Sequence, residues 1–169
     1  LALDITIRES TYQFVKMIPR QAASTLQGLA QGYPILAITG PRQSGKTTLA
    51  QSAFPDKPYV SLEDPDNRAF AQEDPRGFLG HWKDGAILDE AQRCPALFSY
   101  LQTRVDANRR MAEFVLTGSQ QFGLLSSITQ TLAGRVGLVQ LLPFSIQELR
   151  TADAPCSDLN DVLWRGLYP

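Results

Sequence analysis

Short apolar runs recur along the chain with helix-patterned stretches between them. Ile35 to Thr39, Tyr59 to Leu62, Ala86 to Leu88, Phe114 to Thr117 and Val136 to Leu142 read as five short buried strands. Ahead of the first, Pro19 can occupy the opening turn of a helix that runs to about Ala30. Gly32 can end that helix, and Pro34 keeps it from resuming. Lys46 to Ser52 has a helical pattern. Asp64 before Pro65 and Asp74 before Pro75 each set a side-chain acceptor at an N-cap and a proline at the first helical position, which predicts two short helices. Pro95 opens a further helix whose Leu97, Phe98, Leu101 and Val105 share one face, a core stripe rather than a cofactor box. Gln120 to Leu132 reads as helical at least in part. Ser145, with Glu148 three places later, is a capping-box signal for a last helix.

Strands that alternate with helices in this way predict an α/β fold: a parallel five-stranded sheet with helices on both faces, in three layers. Ligands of such sheets bind at the carboxyl ends of the strands. The chain's 169 residues, 43% of them hydrophobic, fit one domain with a sizeable core. No apolar run approaches the roughly 20 residues of a membrane helix. Leu1 to Glu9 mixes Asp4, Arg8 and Glu9 with aliphatic residues, unlike a secretory leader, so a cytoplasmic protein without a membrane partner is expected.

A net charge of −1 provides no general field for a polyanion, so any nucleic-acid contact would need a local patch. Arg104, Arg109 and Arg110 gather near one predicted helix end, where basic side chains also complement the helix dipole. Cys94 and Cys156 belong to no CxxC pair or His/Cys cluster and read as reduced thiols. His81, the single histidine, reads as a packing or surface residue.

The chemistry concentrates after the first strand. Gly40-Pro41-Arg42-Gln43-Ser44-Gly45-Lys46-Thr47 matches GxxxxGKT between a strand and a helical pattern, and Thr48 continues into that helix. Glycines there let backbone N–H groups turn in around a β-phosphate, while the helix adds its positive N-terminal end. Lys46 would reach the β and γ phosphates, and the Thr47 hydroxyl would ligate magnesium. The expected ligands are therefore ATP and Mg²⁺. Ala86-Ile87-Leu88-Asp89-Glu90 ends the third strand in two acids at the same sheet edge. Asp89 would hold magnesium through a water, and Glu90 would polarise the attacking water as general base.

Leu116-Thr117-Gly118-Ser119-Gln120 brings small polar groups to the end of the fourth strand. Ser119 is the first choice for a group sensing the γ-phosphate and Gln120 the second. Ser119 reads equally as a helix N-cap. Arg135, directly before the fifth strand, could neutralise transition-state charge at a neighbouring subunit's nucleotide in a homo-oligomer, or brace its own loop.

Together these blocks resemble the prokaryotic AAA-type ATPases in which an N-terminal ATPase core precedes a C-terminal domain of uncertain function. The likeness rests also on Leu62-Glu63-Asp64-Pro65, Ala91-Gln92-Arg93, Leu132-Ala133-Gly134-Arg135 and Leu141-Leu142-Pro143-Phe144-Ser145. It implies strand order 5-1-4-3-2. It also implies an extension over 1–18, an ATPase core over 19–150 and, at 151–169, the truncated start of a following helical segment or domain. Leu159, Val162, Leu163 and Leu167 would begin that segment's apolar face.

The leading expectation is hydrolysis of MgATP to ADP and phosphate, slow in isolation, that drives or times a conformational change. The alternative is a nucleotide-gated interaction module with negligible turnover. A small-molecule kinase fits less well, because Glu90 would waste ATP on water, and no NKxD motif points to guanine.

Overall fold

The computed structural model describes residues 18–119, 130–151, 164 and 166–169. Five strands, β1 (Ile35–Gly40), β2 (Tyr59–Ser61), β3 (Ala86–Asp89), β4 (Phe114–Ser119) and β5 (Val136–Gln140), form one sheet in the order β2-β3-β4-β1-β5. Every pairing is parallel, and the order is the expected 5-1-4-3-2 read from the other edge. The helices are α1 (Ala22–Leu29), α2 (Lys46–Ala53), α3 (Pro65–Glu73), α4 (Pro75–His81), α5 (Leu97–Asn108) and α6 (Ile146–Thr151). A 3-10 turn, Ala91–Arg93, follows β3.

Successive side chains of a strand point to opposite faces, and β1 divides accordingly. Ile35 and Ala37 join a core with Phe78, Phe98, Leu101 and Phe114 beneath α3, α4 and α5. Leu36 and Ile38 join Leu26, Leu49, Val115 and Val139 beneath α1 and α2. A strand sandwiched between two helical layers must be apolar throughout, and all six β1 residues are buried.

The Asp-Pro starts form as expected. Asp64 accepts from the N–H groups of Asp66 and Asn67, and Asp74 accepts from Gly77 N–H at 2.9 Å. A Cβ at Gly77 would overlap the Asp74 carboxylate, so a side chain there would displace the cap. Asp74→Ala should lower stability by about 1 kcal/mol, the usual worth of such a cap. The check is a lower urea midpoint with an unchanged slope.

Several boundaries differ from the pattern. Pro19 does not open α1, which begins at Ala22, because Arg20 and the Gln21 N–H are bonded to the 142–148 region instead. Pro95 likewise precedes α5, which starts at Leu97 after turn bonds from Leu97 N–H to Cys94 C=O and from Phe98 N–H to Pro95 C=O. The second strand stops at Ser61 rather than Leu62, and the fifth at Gln140 rather than Leu142. The buried side chains of Leu62 and Leu141 supplied the apolar signal without belonging to the strands.

Ser145 and Glu148 exchange both capping-box bonds, at 2.8 and 3.1 Å. Except for their ends, the expected helix at 120–132, with Gln120, and the expected segments at 1–18 and 151–169, with Cys156, lie outside the described residues. Among the described residues no helix is long and apolar enough to cross a membrane.

Candidate functional site

Parallel register sets Gly40 beside Ser119 and Ser61 beside Asp89, so the carboxyl ends of β1 to β4 meet at one edge. The loop from Gly40 to Gly45 leaves this edge and feeds α2. Gly40 lies so close to the Leu141 carbonyl that a Cβ would overlap its oxygen, and Leu141 N–H donates to Thr39 C=O at 2.7 Å. Gly45 is the N-cap of α2 at φ +86°, a left-handed conformation that favours glycine.

A cleft of about 510 Å³ opens above the loop, lined by Arg42, Gln43, Gly45, Lys46, Thr47, Thr48 and Glu90. Lys46 Nζ donates to Pro41 C=O at 2.7 Å, and the side chain is largely buried. That burial lowers its pKa, while Glu90 and Asp89 pull it up and Arg42 lowers it again. Ser44 lies wholly buried under the loop, and its Oγ has no hydrogen-bond partner.

Thr47 and Asp89 come together, with Thr47 Oγ1 donating to Asp89 Oδ1 at 3.0 Å. The same carboxylate accepts from the hydroxyls of Thr117 and, at 2.8 Å, Tyr59. Desolvation of the Tyr59 hydroxyl and its bond to Asp89 push that phenol up to about 12. Glu90 follows at φ +54°, an uncommon conformation for a residue with a side chain, which turns the chain out of β3 toward the cleft.

Gln92 links two expected site residues. Its Nε2 donates to the Glu90 carboxylate and, at 3.2 Å, to Ser119 Oγ, and its own Oε1 is buried without a partner. In the sequence Gln92 belongs only to the family resemblance, and Thr117 and Tyr59 carry no assigned role. Gln92 stands two residues after Glu90, which was the available signal for it, whereas Tyr59 and Thr117 lie far from both acids in sequence.

Arg135 is not at this edge. It lies at the amino end of β5, its C=O accepts from Ile35 N–H at 3.1 Å, and its guanidinium grips both carboxylate oxygens of Asp106 at 2.6 and 2.9 Å. Nη1 also donates to Ala133 C=O at 3.0 Å. The bond from Arg135 holds the exposed Asp106 carboxyl below its ordinary range. Within one chain, Arg135 braces the 133–135 turn against α5.

The donor set fits the expected ligands. An anion cradle with a buried ammonium suits polyphosphate. A hydroxyl and a carboxylate side by side suit Mg²⁺, a hard cation that takes oxygen ligands and keeps several waters.

A family model described as an AAA domain matches residues 32–150. Uncharacterized proteins of Mycobacterium tuberculosis and Mycobacterium bovis are each 35% identical over 153 residues, covering 89% of this chain and 33% of theirs. The chain thus spans about a third of these curated relatives. Among solved structures, the Walker-type ATPase Paby2304 of Pyrococcus abyssi is similar with TM-score 0.54 at 19% identity, over 82% of this chain and 59% of that one. AMPPCP-bound DnaA from Aquifex aeolicus is similar with TM-score 0.51 at 19% identity, over 85% of this chain and 52% of that one. At such identities the likeness is one of fold.

Proposed function

The chain belongs to the AAA domain family, and on that premise we propose that it binds ATP with magnesium on the loop Gly40 to Thr47 and hydrolyses it to ADP and phosphate, driving or timing a conformational change. The observation that carries the reading is the meeting of Lys46, the Thr47–Asp89 pair and Glu90 around one cleft. Lys46 would leave its Pro41 carbonyl for the β and γ phosphates, and loop N–H groups would take the remaining oxygens. Thr47 and Asp89 would hold magnesium, whose charge offsets the negative charge on the phosphates. Glu90 would accept a proton from the attacking water. Ser119, tied to Glu90 through Gln92, would sense the γ-phosphate.

One observation favours a second reading, a nucleotide-gated interaction module with negligible turnover. One oxygen of the Glu90 carboxylate already accepts from the Gln92 amide, a contact that would compete with water for it. Phosphate release under saturating MgATP separates the two. Steady multiple turnovers support hydrolysis, whereas tight binding with less than one phosphate per chain over hours supports the switch.

Arg135 remains a candidate for action in trans in a homo-oligomer. Its bidentate bond to Asp106 favours the brace. Under the brace, Arg135→Ala should keep its specific activity at every protein concentration. In the trans role, Arg135→Ala should be slow alone and recover when mixed with excess Lys46→Ala. Such recovery in a turnover assay would establish the shared site.

A further inference from the structure

Three segments far apart in the sequence meet at Arg20. Its guanidinium Nη1 donates to Ser44 C=O at 2.8 Å, inside the phosphate loop. Nη2 donates to Leu142 C=O at 2.5 Å and Pro143 C=O at 3.4 Å, and Nε donates to Glu148 Oε1 at 3.2 Å. The planar cation lies over the Phe144 ring, 4.5 Å from its centroid. Only a guanidinium can satisfy this fork of acceptors while stacking on an aromatic face.

Glu148 completes the knot. Its Oε1 also accepts from Gln21 N–H and its Oε2 from Ser145 N–H, both at 2.8 Å. Burial would push this carboxyl up, but the two backbone amides and Arg20 outweigh it and hold the group below its ordinary value. Both side chains of the ion pair are nearly inaccessible, at 10% and 7% exposure. A buried pair is expensive to form and costly to break by removing one partner, so it marks a fixed geometry rather than a source of net stability.

That geometry bears on the peptide linking Ser44 to Gly45. A trans peptide is planar, and no cis bond occurs among the described residues, so the Gly45 N–H points opposite to the Ser44 C=O that Arg20 holds. This N–H is among the donors that α2 leaves unpaired at its start. A cation on the carbonyl side also polarises the peptide and strengthens its N–H as a donor.

We propose that Arg20 is a positioning residue for phosphate binding: it fixes the Ser44–Gly45 peptide so that the Gly45 N–H is presented to a nucleotide phosphate, and it does so while the 142–148 segment is docked on it. Phosphate affinity is therefore coupled to that docking, and by reciprocity bound nucleotide tightens the docking. Leu167 and Pro169 adjoin this contact. Leu167 C=O accepts from Phe144 N–H at 2.7 Å, and a Cβ built at Gly45 would lie 3.5 Å from Arg20 Nη1 and 3.6 Å from Pro169 Cγ. Leu167 and Pro169 thus lie beside the loop and the segment that Arg20 holds.

This inference rests on the nucleotide-binding reading, and its test keeps the two apart. Calorimetry with ATP, ADP and inorganic pyrophosphate would be run on the parent protein, Arg20→Gln, Arg20→Lys, Glu148→Gln and, as a control, Arg110→Gln, which breaks an ion pair far from the loop. Arg20→Gln should weaken all three ligands by about tenfold, the worth of one charge-assisted hydrogen bond. Arg20→Lys should recover part of the loss, and adding Glu148→Gln to Arg20→Gln should cost little more, since both act on one peptide. The Gly45 amide resonance should shift in the Arg20 variants without ligand, a change that general loosening would not confine to this group. If Arg20→Gln fails to fold, Arg20→Lys and the Gly45 resonance decide. Unaltered affinities in the folded variants overturn the inference, as does a loss for ATP without one for pyrophosphate. A parent protein that binds neither ATP nor pyrophosphate overturns the nucleotide reading itself.

Discussion

Lys46→Ala should weaken ATP binding at least a hundredfold, to the point where calorimetry at ordinary concentrations records no heat. Lys46 is the one loop cation both buried in the fold and lining the cleft; Arg42 also lines it but is exposed. Its ammonium is already partly stripped of water and held by a single carbonyl, Pro41 C=O at 2.7 Å. Exchanging that carbonyl for two phosphate oxygens replaces a neutral acceptor with charged ones. Hydrogen bonds to charged groups are worth about 1.5–3 kcal/mol each, so losing two costs roughly two to four decades in affinity. Alanine is also a good helix former, so α2 should persist and the loss should not reflect unfolding. An unchanged urea midpoint beside an absent binding heat would establish this. Parent-like affinity in the mutant would move the nucleotide to another part of the molecule.

Much of the architecture was legible because a parallel sheet covered on both faces demands apolar strands, and few other arrangements produce short apolar runs spaced by helices. Ile35 to Thr39 and Ala86 to Leu88 are recognisable on that ground alone. Asp64-Pro65 and Asp74-Pro75 are equally plain, since an N-cap is a local bond between near neighbours. Element ends were less legible. Whether Pro19 starts a helix depends on where Arg20 finds its acceptors, and those on Leu142, Pro143 and Glu148 lie more than a hundred residues away in sequence. Leu141 is apolar because it packs under α1 and α2, not because it is paired in β5.

The site divides in the same way. A glycine-rich loop before a lysine carries its own signature, so Gly40 to Thr47 announced itself. The partners of Asp89 did not, because the hydroxyls of Tyr59 and Thr117 reach it only through the alignment of β2 and β4 on either side of β3. Arg135 illustrates the opposite case. Its place before the fifth strand allowed two roles, and only the position of Asp106 on α5 shows which bond it makes within one chain.

Glu90→Gln should leave MgATP affinity within about twofold of the parent, a margin suited to an isosteric change, yet lower turnover by about 10² to 10⁴, the range general-base catalysis contributes. The backbone of Glu90 is a reason to expect the larger figure. At φ +54° it occupies a conformation that costs of order 1–3 kcal/mol in a non-glycine residue, and such strain persists only where surrounding structure over-determines it. Here the strained residue sits between Asp89, fixed by three hydroxyls, and the 3-10 turn that carries Gln92 back onto its carboxylate. Glutamine keeps the shape and the turn but cannot accept a proton from water. Asp89→Asn should behave differently, weakening the magnesium dependence of binding itself, because it removes a charge from the Thr47 pair rather than from the water site. Gln92→Ala offers a further discrimination. If the amide orders Glu90 for catalysis, its loss should lower the rate in the parent and have no added effect in Glu90→Gln, since groups acting as a unit are non-additive. If the amide withholds Glu90, the rate of Gln92→Ala should rise instead. Phosphate release at saturating MgATP, with affinity measured separately, reads all four variants, and a Glu90→Gln protein that turns over at the parent rate removes Glu90 from the role of base.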